Sequence, residues 1–199
     1  ADAMGNTAYD MYLGADGSVG TDDPTFDTNK FTLDGNDFFK LVSGTNPDLY
    51  RDMHKTTGGA PATITIAFKT PASLANIVLF STATNTSSNG MDFLLLSSGG
   101  MRLRQFNGST TSNNDFGSWA VNTAYVVTLA FDFTAGTFKY SINARTFTST
   151  TLSSGASTTD ATYTMRIGGN NANALLPTNG TELYGFYPAA GLLLSLIHI

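Results

Sequence analysis

Few side chains in this sequence are equipped for covalent chemistry. The one glutamate, Glu182, stands in Glu182-Leu183-Tyr184-Gly185-Phe186, which supplies no second carboxylate. Retaining glycoside hydrolysis needs two carboxyl groups about 5 to 5.5 Å apart. Here such a pair would have to be assembled from aspartates on different strands, and the plainer reading makes Glu182 a surface residue of an edge or closing strand. The histidines are His54 and His198. A Ser-His-Asp arrangement would depend on His54, which reads as part of a solvated turn beside Arg51, Asp52 and Lys55. With no cysteine in the chain, zinc also lacks ligands. No catalytic residue is assigned, and the chain is read as a non-enzyme.

Calcium is the one cofactor this composition could hold, because it takes carboxylate, amide and backbone oxygens from loops. The candidate ligands are Asp22 and Asp23 with Asp27, Asp34 and Asp37 with Asn36, and the run Asn113-Asn114-Asp115. Asp and Asn are also the ordinary residues of turns, where their side chains bond the local backbone. For any one cluster the turn role is the weightier reading. Saccharide recognition needs an aromatic platform flanked by amides and carboxylates, since a sugar has an apolar face and a rim of hydroxyls. Trp119, the only tryptophan, lies near Asn113, Asn114 and Asp115, and Asn170, Asn171 and Asn173 form a second amide-rich stretch. If those loops share a rim they make a binding edge, the competing reading being that Trp119 belongs to the core.

The elements that would position these residues are strands. From residue 30 to 187, β-branched and aromatic runs alternate with Gly, Asn, Ser and Thr clusters, the pattern of an antiparallel sandwich or barrel. Strands are expected at 30–33, 38–42, 63–69, 77–81, 92–96, 101–106, 124–132, 137–142, 145–149, 162–167 and 182–187. Period-two alternation turns Ile64, Ile66 and Phe68 inward and Thr63, Thr65 and Lys69 outward. It likewise separates Met101 and Leu103 from Arg102 and Arg104. Ser98-Gly99-Gly100 reads as a hairpin turn, and Asp132 and Gly136 bracket another. A short helix fits only at 46–55, where Leu49, Tyr50 and Met53 share a face.

At 199 residues, with 41% hydrophobic and 12% aromatic side chains, the chain can build one sizeable core. Only 13% of residues are charged, which leaves Ser, Thr, Asn and Gly to form the polar surface. A net charge of -5 with scattered Lys and Arg argues against nucleic acid as a partner. The apolar run from Ala189 to Ile199 is too short for a bilayer span of about 20 residues, so membrane insertion is not expected. No signal peptide is visible at the start, and the missing initiator Met suggests a clipped chain. The last residues, Leu194-Ser195-Leu196-Ile197-His198-Ile199, read like translated sequencing adapter. The expected organisation is an N-terminal segment at 1–29, a β-sandwich at 30–187 and a C-terminal tail at 188–199.

Three ordered segments carry a family likeness: Phe31-Thr32-Leu33-Asp34-Gly35-Asn36-Asp37-Phe38-Phe39, the stretch from Trp119 through Phe131-Asp132 to Ile142-Asn143, and Met165-Arg166-Ile167-Gly168-Gly169 followed by Gly180-Thr181-Glu182-Leu183-Tyr184-Gly185-Phe186-Tyr187. They resemble, respectively, the opening hairpin, the central strand pair and the closing strands of the concanavalin A-like lectin and glucanase superfamily, especially its laminin G-like branch. The resemblance implies an all-β, two-sheet antiparallel jelly-roll. It also implies a calcium at the rim, and a carbohydrate-binding or adhesion module whose partner is a glycan or cell-surface polysaccharide. Ala144 stands where that family has Gly, and no His follows Trp119. The segment from Tyr9 to Phe26 is similar to modules of bacteriophage particle proteins, which implies an extracellular or virion setting, with other virion proteins or self-association as partners. The rival expectations are a structural decoration or oligomerisation domain and, behind it, a glycoside hydrolase.

Overall fold

The computed structural model describes residues 10–13, 24–33, 35, 37–42, 50–84, 87–170, 175–178 and 180–190. They form two seven-stranded antiparallel sheets. The first sheet contains β1 (Asp10–Leu13), β4 (Phe39–Val42), β6 (Ile77–Ser81), β7 (Asn89–Leu95), β8 (Gly100–Asn107), β9 (Thr111–Ser118) and β13 (Arg166–Ile167). Its spatial order is β1-β4-β13-β6-β7-β8-β9. The second contains β2 (Thr25–Asp27), β3 (Lys30–Leu33), β5 (Ala62–Lys69), β10 (Ala124–Asp132), β11 (Thr137–Ile142), β12 (Thr148–Thr151) and β14 (Thr181–Ala190). Its order is β12-β11-β10-β5-β14-β3-β2. Residues before position 30 thus add an edge strand to each sheet.

Alternation in β5 holds from Ile64 to Lys69, whereas Thr63, expected at the surface, is buried. Ile64, Ile66 and Phe68 are no more than 1% exposed, and across the ladder Val127 opposes Ile66 while Leu129 opposes Ile64. Aromatic pairs tie the layers together. Phe31 of the second sheet meets Phe39 of the first with ring centroids 4.8 Å apart, Phe186 meets Phe80 at 5.8 Å, and Phe138 meets Phe116 at 5.3 Å. Edge-to-face pairs of this kind contribute about 0.5–1.5 kcal/mol each beyond area burial.

Both hairpins form: Gly99 adopts φ 86° and Gly136 φ 66°, and the Asp132 carboxylate accepts the Ala135 N–H at 2.9 Å. Other expectations need correction. β9 is a strand where its Ser and Asn content suggested a loop. The expected strand at 145–149 shifts to Thr148–Thr151, and that at 162–167 shrinks to Arg166–Ile167. Residues 50–54 are turns and bends with no helix, positions 46–49 lying outside the described residues. β14 continues through Pro188 to Ala190 against β5, so these residues belong to the sheet.

His54 is fully buried, contrary to its reading as a solvated turn residue. Two of its charged neighbours are held by partners elsewhere in the chain. Lys55 pairs with Asp160 at 2.8 Å, and Arg51 Nε donates to the Ala161 carbonyl at 2.8 Å. The His54 carbonyl accepts the Gln105 amide at 2.7 Å, fixing the turn against the first sheet.

Candidate functional site

The residues expected to form a saccharide rim do not converge. Trp119 is only 5% exposed, and its Nε1–H donates to the Leu96 carbonyl at 2.9 Å. Its ring packs in the core and offers no platform. Asn114 points inward, where its amide donates to the Ser153 carbonyl at 2.9 Å and accepts the Ser153 N–H at 2.5 Å. Asn113 and Asp115 face the opposite way, and Asp115 forms a two-pronged ion pair with Arg102. Asn170 is buried, its amide donating to the Thr84 carbonyl at 2.9 Å. It follows β13, which lies four strand intervals from β9, roughly 19 Å at about 4.8 Å per interval. The two amide groups therefore cannot share one sugar. Asn171, Asn173, Asp22, Asp23, Asp34 and Asn36 lie outside the described residues. Asp37 is buried, and Asp27 is exposed and accepts the Thr28 hydroxyl at 3.0 Å. Among the described residues no three His, Cys, Asp or Glu side chains gather as a metal site.

A different surface has the required chemistry, on the outward face of β14. This strand lies between β3 and β5, so Glu182 is central in the sheet rather than at an edge. Glu182 is paired with Lys69 on one side and Thr32 on the other. A bulge between Leu183 and Gly185 re-aims the residues beyond it. Tyr184 and Tyr187 emerge 41% and 55% exposed. A Cβ built on Gly185 would stand 2.6 Å from Tyr187 Cε2 and 2.8 Å from its hydroxyl. The Tyr187 ring therefore lies across the glycine backbone, and the ring's other side is left to solvent.

Polar groups lie on the same outward face of the sheet. Glu182 Oε1 accepts Lys30 Nζ at 2.9 Å and Lys69 Nζ at 3.4 Å, and its Oε2 accepts the Tyr184 hydroxyl at 2.5 Å. The Tyr184 hydrogen bond, followed by that of Lys30, drives the Glu182 carboxyl down to about 2. The same contact with Glu182 raises Tyr184 and Lys30. Opposite Tyr187 stands Thr65, whose hydroxyl lies 3.0 Å from that of Thr128. Aromatic face, carboxylate, ammonium groups and hydroxyls thus share one surface. A signal for it existed in Tyr184-Gly185-Phe186-Tyr187: aromatic residues occupy both parities of one strand, so at least one must face out.

Behind the bulge is an apolar cleft of about 110 Å³, lined by Phe31, Phe39, Ile167, Leu183, Phe186 and the bulge residues Tyr184 and Gly185. It opens where β14 outruns β3. The pairing with β3 ends at Leu183, while that with β5 runs on to Ala190.

The outward face of the first sheet carries ion pairs between directly opposed residues. Arg104 grips Asp92 through Nε at 2.7 Å and Nη2 at 2.5 Å, and its guanidinium lies 5.2 Å from the Phe106 ring centroid. Asp92 is only 1% exposed. Burial pushes its carboxyl up, against the pull of Arg104. Asp92 opposes Arg104 across β7 and β8, and Arg102 opposes Asp115 across β8 and β9. Such pairs hold strand register.

No protein-family model matches the chain, and no curated protein sequence does. Solved structures do. The binding domain of botulinum neurotoxin serotype D superposes with TM-score 0.61 at 13% identity, over 93% of this chain and 43% of that one. A structure of botulinum neurotoxin type C, described as entering cells through interaction with two ganglioside molecules, matches with TM-score 0.61 at 12% identity, over 94% and 48%. The CBM40 of Ruminococcus gnavus IT-sialidase, bound to α2,3-sialyllactose, matches with TM-score 0.52 at 17% identity, over 72% and 86%. The fold is a concanavalin A-like β-sandwich. The chain spans under half the length of the two toxin chains, so the likeness concerns one sandwich within them. At these identities the agreement is one of architecture, and the particular side chains of β14 stand on their own geometry.

Proposed function

We propose that this domain is a non-catalytic carbohydrate-recognition module, displayed on an extracellular or virion surface, that binds glycans on the outward face of β14. The observation that carries the reading is the Tyr187 ring resting on Gly185, on the same sheet face as the cluster of Glu182, Tyr184 and two lysines. A sugar ring stacks its C–H face on such an aromatic and directs its hydroxyls to the polar groups around it. Glu182 suits binding better than acid catalysis. A general acid needs a carboxyl pKa raised toward neutrality, whereas the Glu182 carboxyl lies near 2, ionised and ready to accept hydroxyl hydrogens. The glycan ligands named for two of the similar structures, sialyllactose and gangliosides, agree with this reading.

The test is a glycan array followed by calorimetric titration of the best ligand, with and without calcium. Binding that is lost in Tyr187→Ala, while the thermal melt is retained, supports the proposal. Binding insensitive to Tyr187 rejects this face, and an array without any ligand rejects the function.

A further inference from the structure

The outward face of β10, β5 and β14 forms a shallow trough beside the Tyr187 ring. Ala67 is opposed by Gly185 on one side and Val126 on the other. Glycine and alanine make the floor, Val126 at 46% exposure borders it on β10, and the hydroxyl end of Tyr187 rests on Gly185. This row spans two strand intervals, roughly 9.6 Å at about 4.8 Å each. The next outward row is Ala124, Lys69, Glu182 and Thr32. It lies two residues further along β5, about 6.6 Å at roughly 3.3 Å per residue.

Charge on that second row is unequally shared. Glu182 Oε1 accepts Lys30 at 2.9 Å and Lys69 at 3.4 Å, while Oε2 accepts the Tyr184 hydroxyl. Lys30 also stands opposite Asp27 across β2 and β3. Among the described residues Lys69 bonds Glu182 alone, and its side chain is 33% exposed against 12% for the carboxylate. An ammonium has three donors, of which Glu182 takes one. The charge of Glu182 is taken up in orienting two lysines, and Lys69 keeps N–H donors for a ligand at the end of the trough.

We propose that Lys69 receives an anionic group, a carboxylate or a sulfate, carried by the sugar that lies on the Ala67 floor against Tyr187. This assignment rests on the proposed carbohydrate function and narrows its ligand class to acidic saccharides. The chain's net charge of -5 repels anions in general, so a preference for them has to come from a local cation. An exposed ion pair of this kind contributes about threefold to fivefold in affinity. Salt screens it, the Debye length falling from about 8 Å at physiological ionic strength to about 3 Å at 1 M.

The experiment titrates the intact domain with matched methyl glycosides: glucuronide against glucoside, galacturonide against galactoside, and galactoside 6-sulfate against galactoside. The acidic member of the preferred pair is expected to bind about fourfold tighter in low salt, the gap closing in 1 M sodium chloride. A gain for the uronides alone identifies the anion as carboxylate, and a gain for the sulfate alone as sulfate. Lys69→Gln, checked for a cooperative melt, brings the acid-to-neutral ratio near one. Lys139 opposes Ala130, which opposes Thr63, about 20 Å along β5 from Lys69. Lys139→Gln changes the net charge equally and keeps the ratio of the parent. Equal affinities within every pair, with binding still lost in Tyr187→Ala, overturn the anion assignment and leave the tyrosine surface intact. A ratio unmoved by Lys69→Gln, or lowered as much by Lys139→Gln, also overturns it. No binding of any glycoside overturns both.

Discussion

The Tyr187 ring lies across Gly185, so close that a Cβ on the glycine would come within 2.6 Å of Cε2. Glycine in a strand interior commonly marks such a close approach. Gly185 does not have positive φ, so Gly185→Ala strains no backbone and displaces only the end of a flexible side chain. The substitution is expected to lower glycan affinity about tenfold, with a melting temperature within a few degrees of the parent. Calorimetry and a thermal melt on the same samples check it. Unchanged affinity would show that the resting position of the ring is irrelevant to binding.

Glu182 stays ionised well below neutrality, because the Tyr184 hydroxyl and the lysines hold its carboxyl near 2. Glycan affinity should therefore be flat from pH 8 to pH 4. Glu182→Gln should weaken binding by about tenfold at every pH in that window. A drop in affinity near pH 4.5, in protein still folded by circular dichroism, would contradict this assignment of the carboxylate. The group's contribution to stability has its own window. With a depressed folded pKa, it is present above the unfolded value of 4.5 and fades as pH falls toward 2.

Arg104 and Arg102 make similar-looking pairs with different consequences. Removing Arg104 strands the Asp92 carboxylate at 1% exposure, a loss of about 3–5 kcal/mol for an uncompensated buried charge. Removing Arg102 frees Asp115, whose side chain is already 60% exposed, and costs under about 1 kcal/mol. Urea unfolding of Arg104→Ala and Arg102→Ala measures the difference. Equal losses would contradict it.

His54 ties stability to acid. Burial lowers its pKa from 6.5 to about 4, against the opposing influence of the Arg51 backbone and the Asp160 charge. The unfolded chain binds this proton first, so stability falls as pH drops from 6.5 to about 4, by up to about 3 kcal/mol. His54→Leu should flatten the unfolding midpoint over that range. A variant with the parent's pH slope would place the acid sensitivity elsewhere.

The sandwich was legible wherever burial imposed period two. Ile64-Thr65-Ile66-Ala67-Phe68 and Met101-Arg102-Leu103-Arg104 announce their faces, and Gly99 and Gly136 announce their turns. β9 was hidden because an edge strand needs only a few inward residues, here Asn114, Phe116 and their neighbours, and its other positions are free to be Ser, Thr or Asn. His54 was misread because the charges flanking it imply solvent, while partners more than 100 residues away, Asp160 and Ala161, hold Lys55 and Arg51. Trp119 left platform and core both open in the sequence, with core the weightier, and the structure puts it in the core. The Leu96 carbonyl that satisfies its indole inside the protein is brought there by hairpin geometry, which local sequence does not display. The β14 surface depends on a bulge and on lysines from two other strands, so it emerged only with the strand order.

The most direct test of carbohydrate recognition on β14 is isothermal titration of the best array ligand against the parent and Tyr187→Ala. The predicted result is saturable, one-to-one binding by the parent and at least a twentyfold weaker constant in the variant, both proteins melting cooperatively. Equal affinities for parent and variant would contradict the account.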